Sequence, residues 1–174
     1  MTTLVDNSGK PLPQIEAPSE AKLRVYGDFL FLAFRSHWHA RMSVANLRSA
    51  FEPPIELNQY RIFRFDGVPR GLLTWAWLSA EAEQKYVAGE VLASQDWKSG
   101  DRLWLIDIIA PYRGLTASIS RWVMVPGQIT DKEFRFRRVT PGSTTRRIVH
   151  VDFSRPDDKA RILSDEDFQG ADAT

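Results

Sequence analysis

Apolar and polar positions follow three rhythms along this chain, and each rhythm predicts a different kind of element. In SEAKLRVYGDFLFLAF, from Ser19 to Phe34, the apolar residues Leu23, Tyr26, Leu30 and Phe34 recur at intervals of three and four, one face of a helix, with Ser19 placed to cap it. A shorter helix is predicted from a Ser43 cap through VANLRSAF, stopping before Pro53 and Pro54, since proline lacks the helical N–H donor and restricts its predecessor. SHWHAR, Ser36 to Arg41, is the junction between them. Aromatic, β-prone runs at residues 59–65 and 70–77 flank Asp66-Gly67, a dipeptide typical of a two-residue hairpin turn.

Ser79 then opens a helical AEAEQKYVAG ended by Gly89, and ASQDWKSGD is a polar, turn-rich loop. RLWLIDIIAP is apolar almost throughout and bounded by Asp101 and Pro111, which predicts a central strand buried on both faces. RGLTASISRWVMV predicts a helix after it, and the alternating EFRFRRV and TTRRIVHVDF, joined by TPGST, predict a second hairpin. The result is an α/β (α+β) chain in which helices alternate with strand pairs around one central strand. Pro11, Pro13 and Pro18 mark residues 1–18 as a flexible arm, residues 19–155 as a single domain, and the acidic, small-residue end as a tail over 156–174.

Composition narrows the function more than the fold. A chain of 174 residues with 43% hydrophobic and 26% charged residues matches one ordinary globular domain. A net charge of +1 gives no clustered cationic excess for phosphate backbones, so no nucleic-acid partner is expected. The absence of cysteine excludes disulfides, thiolate catalysis and zinc–thiolate sites, and three histidines leave little room for a histidine-rich metal centre. The opening residues lack the apolar run of a secretory signal, and no later run reaches membrane-spanning length, which predicts a cytoplasmic protein without stable membrane insertion.

Asp107 is the anomaly in the central strand. A carboxylate buried in an apolar strand without a partner is costly, so it is expected to be paired or used. Histidine is its natural partner, because a carboxylate on one ring nitrogen fixes the tautomer and raises the basicity of the other. If SHWHAR is extended, His37 and His39 face one cleft and Trp38 turns to the core. Ser36 is either a nucleophile of a Ser, His, Asp set, without the usual GxSxG elbow, or a turn and capping hydroxyl. His150, between Val149 and Val151, reads as a surface or partner-facing side chain, and Trp75, Trp77, Trp97 and Trp104 read as core.

Taken in order, NQY at 58–60, Pro69, Trp75, Leu78-Ser79, Lys85-Tyr86, DWKSGDRLWLID and IAP at 109–111 resemble the RTX toxin-activating lysine acyltransferases, the haemolysin activator C family. The resemblance implies a fold like the GCN5-related N-acetyltransferases, a central mixed or antiparallel sheet flanked by helices, and a homodimer. It implies transfer of a fatty acyl chain from acyl carrier protein to internal lysines of an RTX-type protoxin in the cytoplasm. Acyl carrier protein, through its phosphopantetheine thioester, is then a co-substrate, with no permanently bound cofactor and no metal. Residue by residue, the family's catalytic histidine falls on His39, its serine on Ser36 and its aspartate on Asp107, with Ile108 where the family has tryptophan.

A free lysine amine, with a pKa of about 10.4, is protonated at neutral pH and needs a base before it can attack a thioester. His39 supplies it and Asp107 orients it, while a transient acyl group on Ser36 or His39 is the alternative route. APYRGLTASISRW resembles the phosphate-binding turn of acetyltransferases, with Arg113 in the turn. Leu115 and Thr116 stand where a second glycine is expected, which fits a single phosphate better than coenzyme A. An acidic carrier calls for a basic docking face, assigned to Arg113, Arg135, Arg137 and Arg138, with Arg146 and Arg147 adding to it. Two rival readings share these features: a coenzyme A-dependent acyltransferase of the same fold, and a non-catalytic toxin chaperone that would tolerate His39→Ala.

Overall fold

Both opening helices form with the caps the sequence offers. In the computed structural model, which describes residues 5, 7–11, 18–139, 145–155 and 157–163, α1 (Glu20–Ala33) begins where Ser19 accepts a bond from the Lys22 N–H. α2 (Val44–Leu57) begins where Ser43 accepts from the Asn46 N–H. α2 does not stop at the prolines but runs through Pro53 and Pro54 to Asn58, which ends it in the left-handed conformation. Each proline forfeits a ladder bond, yet both are buried beside Ile55, so packing overrides the local penalty.

β1 (Tyr60–Phe65) and β2 (Val68–Leu78) form the predicted hairpin, with Asp66 at φ 51° and Gly67 at φ 74° supplying the two left-handed residues of a tight turn. α3 (Ala80–Val87) follows a Ser79 cap, and a short 3₁₀ helix, Ser94–Trp97, leads into β3 (Arg102–Ile109). Gly100 fixes that entry: an added Cβ would lie 2.5 Å from the Leu78 carbonyl oxygen. Because that neighbour is backbone, Gly100→Ala should destabilise the fold by about 1–3 kcal/mol, read as a lower urea midpoint.

α4 (Leu115–Val123) crosses to β4 (Glu133–Val139), which pairs antiparallel with β5 (Thr145–Asp152) as the second hairpin requires. The turn residues 140–144 lie outside the described residues, as do most of the N-terminal arm and residues 164–174. The sheet gains a sixth strand, β6 (Ala160–Leu163), antiparallel to β5, within the segment assigned from sequence to the tail. Four residues of which only two are strongly apolar carry no readable period, and pairing with β5 decides their state.

The strands lie in the order β1-β2-β3-β4-β5-β6, antiparallel except for β3 against β4. One core cluster joins α1 and α2 to Leu72 and Ile109, and another joins α3 and Trp97 to Ala76 and Trp104. A third, on the opposite face, joins α4 to Leu73, Leu105 and Phe134. Two irregularities shape the middle of the sheet. A bulge interrupts the β2–β3 register between Thr74 and Trp75, and β3 pairs with β4 only at Trp104↔Arg135 and Leu105↔Phe136 before the two strands separate.

Candidate active site

The junction SHWHAR folds as a tight turn rather than an extended strand. Ser36 N–H still reaches back to the carbonyls of Leu32 and Ala33, and residues 39–41 form a single 3₁₀ turn. His37 and Trp38 therefore face solvent, Trp38 being 54% exposed, whereas His39 points inward and is 6% exposed. The expectation that both histidines share one cleft with Trp38 in the core is corrected: a turn rotates successive side chains about the axis, so 36 and 39 meet instead of 37 and 39.

His39 joins two groups distant in sequence. Its Nδ1 lies 2.8 Å from Ser36 Oγ, and its Nε2 lies 2.7 Å from Asp107 Oδ2, 68 residues away. An ionised carboxylate only accepts, so Nε2 carries the proton, and Nδ1 keeps a lone pair that accepts from the Ser36 hydroxyl. Phe51 of α2 stacks on the imidazole with ring centroids 6.2 Å apart, fixing its plane. Asp107 reaches the ring because of the bulge: Thr74 pairs with Asp107 and Trp75 with Leu105, so Ile106 is the extra residue. Ile106 packs with Trp104, and Asp107 turns to that same face of the sheet toward His39.

The separation of β3 from β4 opens a cleft of about 960 Å³. Its walls draw on both faces of the sheet: His39, Tyr86, Trp97 and Asp107 on one side, Thr116, Ser120, Val123 and Phe134 on the other. The cleft thus passes through the sheet beside the His39–Asp107 pair. Burial pushes the Tyr86 phenol above its ordinary pKa and the Asp107 charge adds to this, while the Arg137 guanidinium works against both. A raised folded-state pKa means stability is complete below the unfolded value of about 10 and is lost as pH rises beyond it. Tyr86→Phe should therefore flatten the alkaline fall in stability, followed by denaturant midpoints between pH 8 and pH 11.

The basic residues of β4 divide. Arg137 donates to the Tyr86 carbonyl at 2.7 Å and covers the Tyr86 ring, and Arg135 lies against Glu83 and Glu133. Both face α3, so neither forms an open cationic surface; Arg113 and Arg138 are exposed, and Arg137 and Arg138 both line the cleft. Arg147 is exposed, and the side chain of Arg146 lies outside the described residues. His150 pairs with Glu133 at 3.0 Å. Trp97 and Trp104 are buried as expected, with Trp75 and Trp77 half-buried against the α4 cluster. Sequence reasoning missed Glu83, which is 1% exposed and accepts from Trp104 Nε1 at 2.6 Å. Its only sequence signal is a glutamate on the face that carries Ala82 and Tyr86 into the core. Among the described residues, no helix is long and apolar enough to cross a membrane.

A mixed six-stranded sheet flanked by helices, parted where β3 and β4 run parallel, is consistent with a GCN5-related N-acetyltransferase-like α/β fold. The sequence profile described as HlyC, the RTX toxin acyltransferase family, matches residues 19–152, and the chain belongs to that family and is an acyltransferase. It is 35% identical over 126 residues to an RTX-III toxin-activating lysine-acyltransferase of Actinobacillus pleuropneumoniae, covering 72% of this chain and 71% of the relative. It is 32% identical over 152 residues to a protein-lysine myristoyltransferase of Kingella kingae, covering 85% and 87%. A protein-lysine palmitoyltransferase of Bordetella bronchiseptica is 36% identical over 106 residues, covering 58% and 57%.

Proposed function

We propose that this chain moves a fatty acyl group from the phosphopantetheine thioester of acyl carrier protein to a lysine ε-amine of an RTX-type protoxin, with His39 as base and Asp107 as its positioning partner. The observation that carries the reading is the continuous line Ser36–His39–Asp107, whose His39 and Asp107 stand on the wall of a mainly apolar cleft. The relatives' names, toxin-activating lysine acyltransferase, protein-lysine myristoyltransferase and protein-lysine palmitoyltransferase, support the acceptor and the donor chain.

The Ser36 hydroxyl lies beside the free lone pair of His39. The lysine binds as the neutral amine, its ammonium proton released to solvent; as its nitrogen attacks the thioester carbonyl, the C–N bond forms, an amine proton passes to Ser36 Oγ, and the Ser36 proton passes to His39 Nδ1. Asp107 stabilises the resulting imidazolium. Collapse of the tetrahedral adduct breaks the C–S bond, and the His39 proton goes to the departing phosphopantetheine thiolate. Arg138, at the cleft, and the exposed Arg113 remain the side chains suited to an acidic carrier. This reading sets the reaction in the cytoplasm and includes the homodimer, which sedimentation measures.

The same line of bonds also suits an acyl-serine intermediate, with Ser36 attacking the thioester. Mass spectrometry of protoxin incubated with palmitoyl-acyl carrier protein and this enzyme tests the proposal. An added acyl mass on lysine supports it, and its absence from a folded protoxin overturns it. Omitting the protoxin separates the two routes: an acyl mass retained on Ser36 favours the intermediate, and an unmodified enzyme favours direct transfer. Transfer from coenzyme A thioesters alone would shift the donor to the rival class.

A further inference from the structure

One exposed face of the molecule is both apolar and cationic, and it ends at Ser36. We infer that this face, the outer side of α1 together with the SHWHAR turn, receives the polypeptide segment around the target lysine, and that the segment it fits is rich in acidic and apolar residues. The inference rests on the protoxin reading above and adds where the acceptor docks and what chemistry recognises it.

The helical period builds the face. At about 100° per residue, Leu23, Leu30 and Phe34 fall on one stripe of α1, and all three are exposed, as is Trp38 in the turn that follows. Apolar side chains scattered singly over a surface need no explanation, but a run of them leading to the active site does. Arg24 and Arg35, about three turns apart, flank the stripe, and Arg41 is exposed in the turn. The acids of this region are already taken: Asp28 is buried against Arg64, Glu52 pairs with Arg48, and Glu56 with Lys22. From Ala21 to Phe51 no acidic side chain is exposed, and Glu20 stands at the opposite end of α1 from Ser36. Arg35 is held ready, with Nη1 donating to the Phe31 carbonyl at 3.0 Å and the guanidinium 3.6 Å over the Phe31 ring, so less freedom is lost when it meets a carboxylate.

Position relative to the chemistry decides the occupant. Direct transfer engages carrier and protoxin together, so the two use different surfaces, and Arg113 and Arg138 serve the carrier. Ser36 Oγ, which takes the amine proton, is half-buried at the end of α1 and is not part of the cleft wall, whereas His39 and Asp107 are. The amine therefore arrives from the α1 side. Trp38, exposed and also on the cleft wall, stands where the lysine stem passes inward. The 14 residues of α1 extend about 21 Å, room for about six residues of extended chain.

The test is steady-state transfer from palmitoyl-acyl carrier protein to protoxin by the full-length enzyme. Reversing the three charges together, Arg24→Glu, Arg35→Glu and Arg41→Glu, should raise the KM for protoxin at least about tenfold and leave kcat and the KM for the carrier within about twofold. Lysine at the same three positions keeps the charge and should bring the protoxin KM back to within about threefold of wild type. Phe34→Ser, which changes no charge, should also raise the protoxin KM and spare the carrier's. KM does not depend on how much of a preparation is folded.

An unchanged protoxin KM on charge reversal, or a lysine variant as impaired as the glutamate one, overturns the assignment. So does a rise in the carrier's KM as large as the protoxin's, which would give the face to the carrier. A shift from dimer to monomer in sedimentation with the protoxin KM unchanged would make it a contact between copies of this chain, and again overturns it. If wild type transfers nothing to folded protoxin, the functional reading fails and the docking face falls with it.

Discussion

His39→Ala should lower acyl transfer about a thousandfold, and Asp107→Asn should come within about tenfold of that loss. The two act on one proton site. Alanine removes the lone pair that receives the proton, whereas asparagine leaves the ring in place and offers Nε2 an amide in place of a carboxylate. The amide N–H donates to Nε2, which moves the ring proton to Nδ1, and the nitrogen facing Ser36 then donates to the hydroxyl oxygen and has no lone pair to take its proton. Ser36→Ala keeps the base and its orienting carboxylate, so about a tenfold to hundredfold loss is expected if the hydroxyl only relays the proton. Loss equal to that of His39→Ala would make it the nucleophile.

His37→Ala, at an exposed position, should transfer at the wild-type rate. The assay is single-turnover transfer from palmitoyl-acyl carrier protein to protoxin, with circular dichroism confirming that each variant is folded. His39 is buried against Phe51, so some loss of stability accompanies the alanine variant, and His39→Gln restores part of the volume. Transfer by folded His39→Ala within tenfold of wild type would remove His39 as the base.

Residues whose chemistry is local were legible in the sequence. Ser19, Ser43 and Ser79 cap the helices they precede, and Asp66-Gly67 makes its turn, because each requirement is met within a few residues. Asp107 was legible for the opposite reason: a carboxylate in an apolar run conflicts with its surroundings, and the conflict names a site. What the sequence hid depended on contacts made elsewhere. The inward turn of His39 is set by Phe51 and Asp107, and six residues are too few to tell a turn from a strand. The alternation of β4 correctly separated phenylalanines from arginines, but it carries no sign of which face α3 would cover, so Arg135 and Arg137 read as surface groups. The persistence of α2 through Pro53 and Pro54 has the same origin in burial.

Glu83→Ala should cost about 3–5 kcal/mol of stability, the largest structural effect expected of any single substitution outside the apolar core. Glu83 is 1% exposed and gathers three side chains from two strands on one carboxylate: Trp104 Nε1 donates to Oε1 at 2.6 Å, the Arg102 guanidinium donates to Oε2, and Arg135 Nη1 lies 3.8 Å from Oε1. Trp104 and Arg135 are register partners across β3 and β4, in the pairing next to the point where the strands part. Alanine removes the negative charge shared by two guanidinium groups and withdraws the indole's carboxylate acceptor, while the arginine side chains remain 27% and 18% exposed. Glu83→Gln keeps an acceptor for Trp104 and gives up only the charge, so it should cost less than alanine. Urea unfolding measures both, with a lower midpoint and an unchanged slope marking a loss of native-state stability. A shift below about 1 kcal/mol for the alanine variant would show that the cluster contributes little. Because the carboxylate ties β3 to β4 beside the cleft, the alanine variant should also raise the KM for acyl carrier protein more than it lowers kcat, since the chemical groups stay in place while the walls that hold the donor loosen.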